Sequence, residues 1–270
     1  MPLPPQVSRS TTTFLAAIDS SSPGLVAGLY LHGSLGFGEF YPGHSDIDYV
    51  AVLARAPDAD ALAALAAAHQ AVRERHPKPD FDGFHLLRQD LARPPEVCPD
   101  LPCTQDGVFR AAAPFYDVNP VTWHELARHG VTVRGPALTK TDVWTNDAAL
   151  RAYSHDNLAT YWSGVAQSLA DRPDEASTDE ATAWCVLGVS RLHHLLATGN
   201  LTSKSGAGRY ALDAFEPRWR PIVTEALRIR EASGVPSFYD GAPGRRGRDT
   251  TEFTAMAVEA GVALDPSLAI

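Results

Sequence analysis

The chain has 270 residues, is 44% hydrophobic, and carries a net charge of −9 with a pI near 5.5. That apolar content can bury one large core or two small ones, and two domains are expected. The acidic balance argues against an enzyme that grips tRNA or DNA, because neutralising phosphates needs clustered Lys and Arg, and it suits a small cationic substrate.

Residues 1–23 hold Pro, Ser and Thr around one short apolar patch at 14–18, which predicts an extension with a first helix. They lack the basic start and long apolar core of a signal peptide, and no run reaches the ~18 apolar residues of a membrane span. Cys98, Cys103 and Cys185 are odd in number and lack zinc-ligand spacing, so buried thiols in a reducing, cytoplasmic setting are expected. Residues 24–31 (GLVAGLYL) predict a buried strand that ends at Gly33-Ser34, where a helix start would offer backbone N–H groups and a hydroxyl to a phosphate. Eleven residues later comes Asp46-Ile47-Asp48, inside an apolar run. Alternation along a strand puts the two carboxylates on one face, a pairing that favours a divalent cation.

Residues 58–76 predict a helix, with Leu62, Leu65, Ala66 and Val72 at helical spacing and acidic residues in the first turn. Residues 80–87 predict a third strand, so 24–87 should form a small mixed sheet with helices packed on it. The Pro-rich stretch 91–103 predicts a surface loop. Asn119-Pro120 supplies a cap and a first-turn proline for a helix over 121–129, Gly130 stops it, and 131–134 make a short last strand. Beyond about residue 140, helices are expected over 148–170, 179–197, 205–214, 217–230 and 250–260, with Leu187, Leu192, Leu195 and Leu196 as a buried stripe. Residues 234–248, basic and rich in Gly and Pro, are expected to be a solvated linker. The fold class is therefore α+β, a mixed-sheet domain followed by a helical bundle.

The pattern apolar-Gly-Ser-x11-Asp-x-Asp, bracketed by strands, resembles the nucleotidyltransferase superfamily, whose members move NMP from an NTP to an acceptor. Together with WHELARHGVTVRGP and GVSRLHHLLATGNLTSKSGAGRYAL, the chain over 24–262 resembles the bacterial aminoglycoside adenylyltransferases that modify streptomycin and spectinomycin. That resemblance implies a nucleotidyltransferase domain at 24–140, a helical domain at 141–270, and ATP with two Mg²⁺ in a cleft between them. It implies that Asp46 and Asp48 hold the metals and that Ser34 and Ser45, beside Gly33, touch the triphosphate. Arg191 in VSRLHH and Lys204 in TSKSG would reach the phosphates from the helical side.

The family's third carboxylate, usually Glu, falls here on Asp82, as metal ligand, base or both, with Asp80 competing on the same strand face. An ordinary Asp pKa of about 3.9 makes a weak base for an alcohol. Family members that recognise streptomycin place an aromatic and an acidic residue just before the arginine helix; here Thr178-Asp179-Glu180 and Trp184 lie near but out of register. The implied partners are ATP and a hydroxylated, cationic small molecule, with no nucleic acid or membrane, in a monomer or weak dimer. Transfer to another antibiotic or to a protein side chain, and a binding or antitoxin-like module without turnover, are the alternatives.

Overall fold

A computed structural model describes residues 2–138, 143–265 and 267. The chain divides into two units, Met1–Asn146 and Asp147–Ile270. The boundary expected at 140/141 lies outside the described residues.

In the first unit, α1 (Pro5–Ser21) starts with a proline at its first turn and buries Val7, Phe14 and Ile18. Of the apolar patch at 14–18, only Phe14 and Ile18 belong to the inner face of this full helix, and Ala16 is exposed. The strands are β1 (Val26–Leu31), β2 (Ile47–Leu53), β3 (Phe81–Leu87), β4 (Leu101–Gln105), β5 (Val108–Ala113) and β6 (Val131–Arg134), in sheet order β5-β4-β3-β2-β1-β6. β2 and β3 pair in parallel, and every other neighbouring pair is antiparallel. Parallel neighbours need a crossover, and α2 (Ala59–Arg75) supplies it.

Asp58 caps α2 by accepting the Ala61 N–H at 2.9 Å, a contact typically worth about 1 kcal/mol. The buried face of α2 runs through Ala61, Leu65, Ala68, His69 and Val72. The expected stripe is therefore rotated, with Leu62 and Ala66 only half buried. α4 (Pro120–His129) follows the Asn119 cap, which accepts the Val121 and Thr122 N–H groups, and ends at Gly130 as expected.

Alternation along the strands sorts two cores. Leu29, Leu31, Ile47, Tyr49, Ala51 and Phe81 pack with α1 and α2. Tyr30, Val50, Val52, Phe84 and Leu86 pack on the other face with Trp123 and Leu126 of α4. The sheet lies between two helical layers, and Asp48 and Asp82 share the even-numbered face with α4.

Two expectations are corrected here. Residues 33–38 form hydrogen-bonded turns, closed by Phe37 N–H to the Gly33 carbonyl at 3.3 Å and Glu39 N–H to the Ser34 carbonyl at 2.9 Å, and no helix starts there. The 91–103 stretch is not wholly loop. After α3 (Arg88–Leu91) and one 3₁₀ turn at Pro95–Val97 it enters β4, and β4 and β5 form a hairpin. Its turn is Asp106-Gly107, with φ of +52° and +68°. Asp-Gly with both φ positive is the signature of a two-residue hairpin.

The second unit is helical: α5 (Asp147–Asn157), a π-helical turn at Leu158–Trp162, α6 (Ser163–Asp171), α7 (Pro173–Ala176), α8 (Asp179–Thr198), α9 (Lys204–Ala214), a 3₁₀ turn at Pro217–Trp219, α10 (Arg220–Glu231) and α11 (Pro243–Val262). Leu187, Leu195 and Leu196 are buried on α8, while Leu192 is half buried. The single helix expected over 148–170 is interrupted by the π turn. The linker expected over 234–248 is half helix, because α11 begins at Pro243. Arg246, in that stretch, makes a structural ion pair with the fully buried Glu225 at 3.3 Å and another with Asp179 at 2.6 Å. A buried carboxylate is costly unless paired, and Arg228 and Ser237 complete its set.

Candidate functional site

One row across the sheet brings together Gly33, Asp48 and Asp82 of the residues singled out by sequence. β1 ends at Leu31, paired with Tyr49, and the His32 N–H continues the ladder to the Asp48 carbonyl at 3.1 Å. Gly33 follows with φ +57°, and a Cβ built on it would stand 2.3 Å from Asp48 Oδ2. Glycine is thus required twice, once by the backbone and once by the carboxylate lying against its bare Cα. Across the parallel ladder Asp48 is in register with Asp82. Beyond Asp82 comes the hairpin turn, whose Asp106 and Gly107 N–H groups donate to Asp82 Oδ2 and Oδ1 at 2.8 and 3.2 Å.

Asp82 is 9% exposed. Burial pushes its pKa up to about 6, helped by the negative fields of Asp80 and Asp46 and opposed by the two amide hydrogen bonds. Asp46 precedes β2 and is exposed. Asp80 precedes β3, where it is ion-paired with Lys78 and accounts for most of that lysine's raised pKa. The register therefore puts Asp82, and not Asp80, level with Asp48. Ser45 is buried and accepts the Tyr41 N–H at 3.0 Å, closing the turn that leads into β2. Ser34 Oγ is buried without a hydrogen-bond partner, and the Gly33 N–H is taken by Glu125 at 3.1 Å.

In the helical unit, Arg191 and Lys204 meet one corner. Arg191 Nε donates to the Thr202 carbonyl at 3.2 Å, and Lys204 opens α9 behind the Ser203 cap, which accepts the Gly206 N–H at 2.8 Å.

Some contributors escaped the sequence reading. Glu125 lies within WHELARHG, and its placement between Trp123 and Leu126 on a short buried helix was the available signal. Asp106-Gly107 was legible as a hairpin dipeptide. Tyr116 is 60% exposed, yet desolvation about its phenol, and then the fields of Asp117, Asp48, Asp82 and Asp106, raise its pKa. That electrostatic link marks it as a neighbour of the row. Underneath, His69, His85, Tyr49 and Thr104 form a buried polar cluster, with His69 Nε2 at 3.2 Å from His85 Nε2 and 3.1 Å from the Tyr49 hydroxyl.

Residues 157–241 match the family model described as aminoglycoside adenylyltransferase, C-terminal domain. Over those residues the helical unit is similar to the C-terminal domain of aminoglycoside adenylyltransferases. Arg191 and Lys204 both fall inside the matched residues. Among solved structures, spectinomycin adenyltransferase AAD(9) from Enterococcus faecialis, with ATP and spectinomycin, is similar with a TM-score of 0.65 and 14% identity. The match covers 93% of this chain and 99% of that one, so the likeness in fold extends over both units. No curated protein sequence matches the chain. No helix among the described residues is long and apolar enough to cross a membrane.

Among the described residues no three His, Cys, Asp or Glu side chains are gathered closely enough to chelate a metal ion. Mg²⁺ seldom needs such a cage, since it is usually held by one or two carboxylates together with substrate phosphates and water. Hard carboxylate oxygens at Asp46 and Asp48, beside an Asp82 whose pKa is lifted partly by neighbouring negative charge, fit that mode.

Proposed function

We propose that this chain transfers AMP from ATP to a hydroxyl of a small cationic antibiotic, an aminoglycoside such as streptomycin or spectinomycin, releasing pyrophosphate in a Mg²⁺-dependent reaction. The supporting observation is the row Gly33, Asp48, Asp82 and Asp106-Gly107, joined to a helical unit similar to that of the adenylyltransferase family. Asp46 and Asp48 would hold the cations. Two Mg²⁺ ions bound with ATP would neutralise triphosphate charge and polarise the acceptor oxygen.

Asp82 is the base. Its pKa of about 6 leaves it mainly ionised at neutral pH while making it a stronger proton acceptor than an ordinary Asp. The amides of Asp106 and Gly107 fix the carboxylate's direction, so the entropy of aiming it is spent on folding. Ser34 and Ser45 contact the triphosphate, and Arg191 and Lys204 supply positive charge for the phosphates.

Incubation with ATP, Mg²⁺ and a panel of aminoglycosides, a lincosamide and a protein acceptor tests the reading by mass spectrometry and pyrophosphate release. A gain of one AMP unit on an aminoglycoside is expected. Gain on another acceptor moves the substrate class, and ATP binding without any transfer removes the catalytic reading.

A further inference from the structure

The turn after β1 is closed internally by its own backbone, so its position on the sheet is set by what else it touches. Beside the His32 N–H bond to the Asp48 carbonyl and the contact of Phe37 with His129, Glu125 provides a side-chain tie to the middle of the turn. Its Oε2 accepts the Gly33 N–H at 3.1 Å and lies 3.4 Å from His32 Nδ1, and both residues are only 4% exposed. A leucine here would extend the apolar packing of Trp123 and Leu126, whereas a buried carboxylate is costly to desolvate. His32 Nε2 and Ser34 Oγ, on either side of Gly33, are buried without hydrogen-bond partners, so neither side chain has a full set of its own bonds to hold the turn.

We propose that Glu125 and His32 are positioning residues for nucleotidyl transfer. Through the Gly33 amide and the His32 ring, Glu125 keeps the Gly33-Ser34 turn seated so that the bare Gly33 Cα lies against the Asp48 carboxylate and Ser34 stands ready for the triphosphate. This rests on the nucleotidyltransferase reading of the site. The pair touches no reacting atom; a shift of about 1 Å in a supporting element can cost on the order of 100-fold in rate.

The test compares wild type, Glu125→Ala, Glu125→Asp and Glu125→Gln by Tm, calorimetric ATP affinity with Mg²⁺, and separate KM and kcat values for ATP and acceptor. Glu125→Ala should lose roughly 10- to 100-fold in kcat and raise the KM for ATP, with the acceptor KM nearly unchanged. Glu125→Gln, whose amide oxygen can still accept the Gly33 N–H, should restore most of the loss. If Glu125→Ala does not fold, Glu125→Asp decides, since it keeps the charge but draws the oxygen back and should show the same kcat loss. A folded Ala or Asp variant with wild-type kcat and ATP KM overturns the proposal, as does a folded Gln variant as impaired as Ala. Wild type that binds no ATP and turns over no acceptor overturns the function reading itself, and this inference with it.

Discussion

The row across the sheet and the corner at Arg191 and Lys204 present opposite charges in opposite ways. The carboxylates of the row are placed by strand register, within a residue of the backbone that fixes them, and one of them is buried to the point of a pKa near 6. The cations sit at the ends of long side chains on helices, with Arg191 steadied by a carbonyl. Short groups on a ladder lose little entropy on binding and suit a transition state; long ones adapt and suit the tail of a substrate. Removing members of the row should therefore damage kcat, and removing members of the corner should damage KM.

The largest effect is expected for Asp48→Asn, which should cut transfer at least about 10³-fold while the circular dichroism and Tm stay near wild type, because the amide keeps the shape but forfeits charge at the reacting phosphate. Retained turnover would remove Asp48 as a metal ligand and erase the contrast. Lys204→Ala should raise the KM for ATP about tenfold with a smaller change in kcat, read from initial rates. An effect of the opposite split would place the lysine with the row.

The pH profile sharpens the comparison on the row's side. Asp82 must be ionised to act as a base, so kcat/KM should fall on acidification with a limb near 6, and Asp82→Asn should be nearly inactive across the profile. In the metal-free protein the same group works against stability. A folded-state pKa raised above 3.8 means that the folded state binds more protons than the unfolded one between about 4 and 6, so this contribution declines as pH rises through that window.

The buried His69–His85 pair has the reverse sign. Burial lowers both pKa values, His85 to about 4, so the unfolded chain takes up protons first and stability is lost as pH falls from about 6.5 toward 4. Urea midpoints of His85→Gln should depend less on pH across that range than those of wild type. The smallest effect belongs to Asp19→Asn, which opens the Arg134 fork at 2.7 and 2.5 Å between α1 and β6. As a half-exposed pair it should cost about 1 kcal/mol or less in chemical denaturation.

Much of this molecule is local in origin and legible without coordinates. Alternation put Asp48 on a strand face, and Asn119-Pro120 started α4 and Gly130 stopped it, because caps and periodicity act over a few residues. That Asp82 and not Asp80 stands level with Asp48 depended on the parallel pairing of β2 with β3, since register is a relation between segments far apart in sequence. The same holds for the Asp106-Gly107 amides on Asp82, the pKa that burial gives that carboxylate, and Glu125 reaching the Gly33 turn from α4. Residue types and their spacing supplied the chemical groups; which of them stand together was decided by long-range pairing and burial, which no short window of sequence contains.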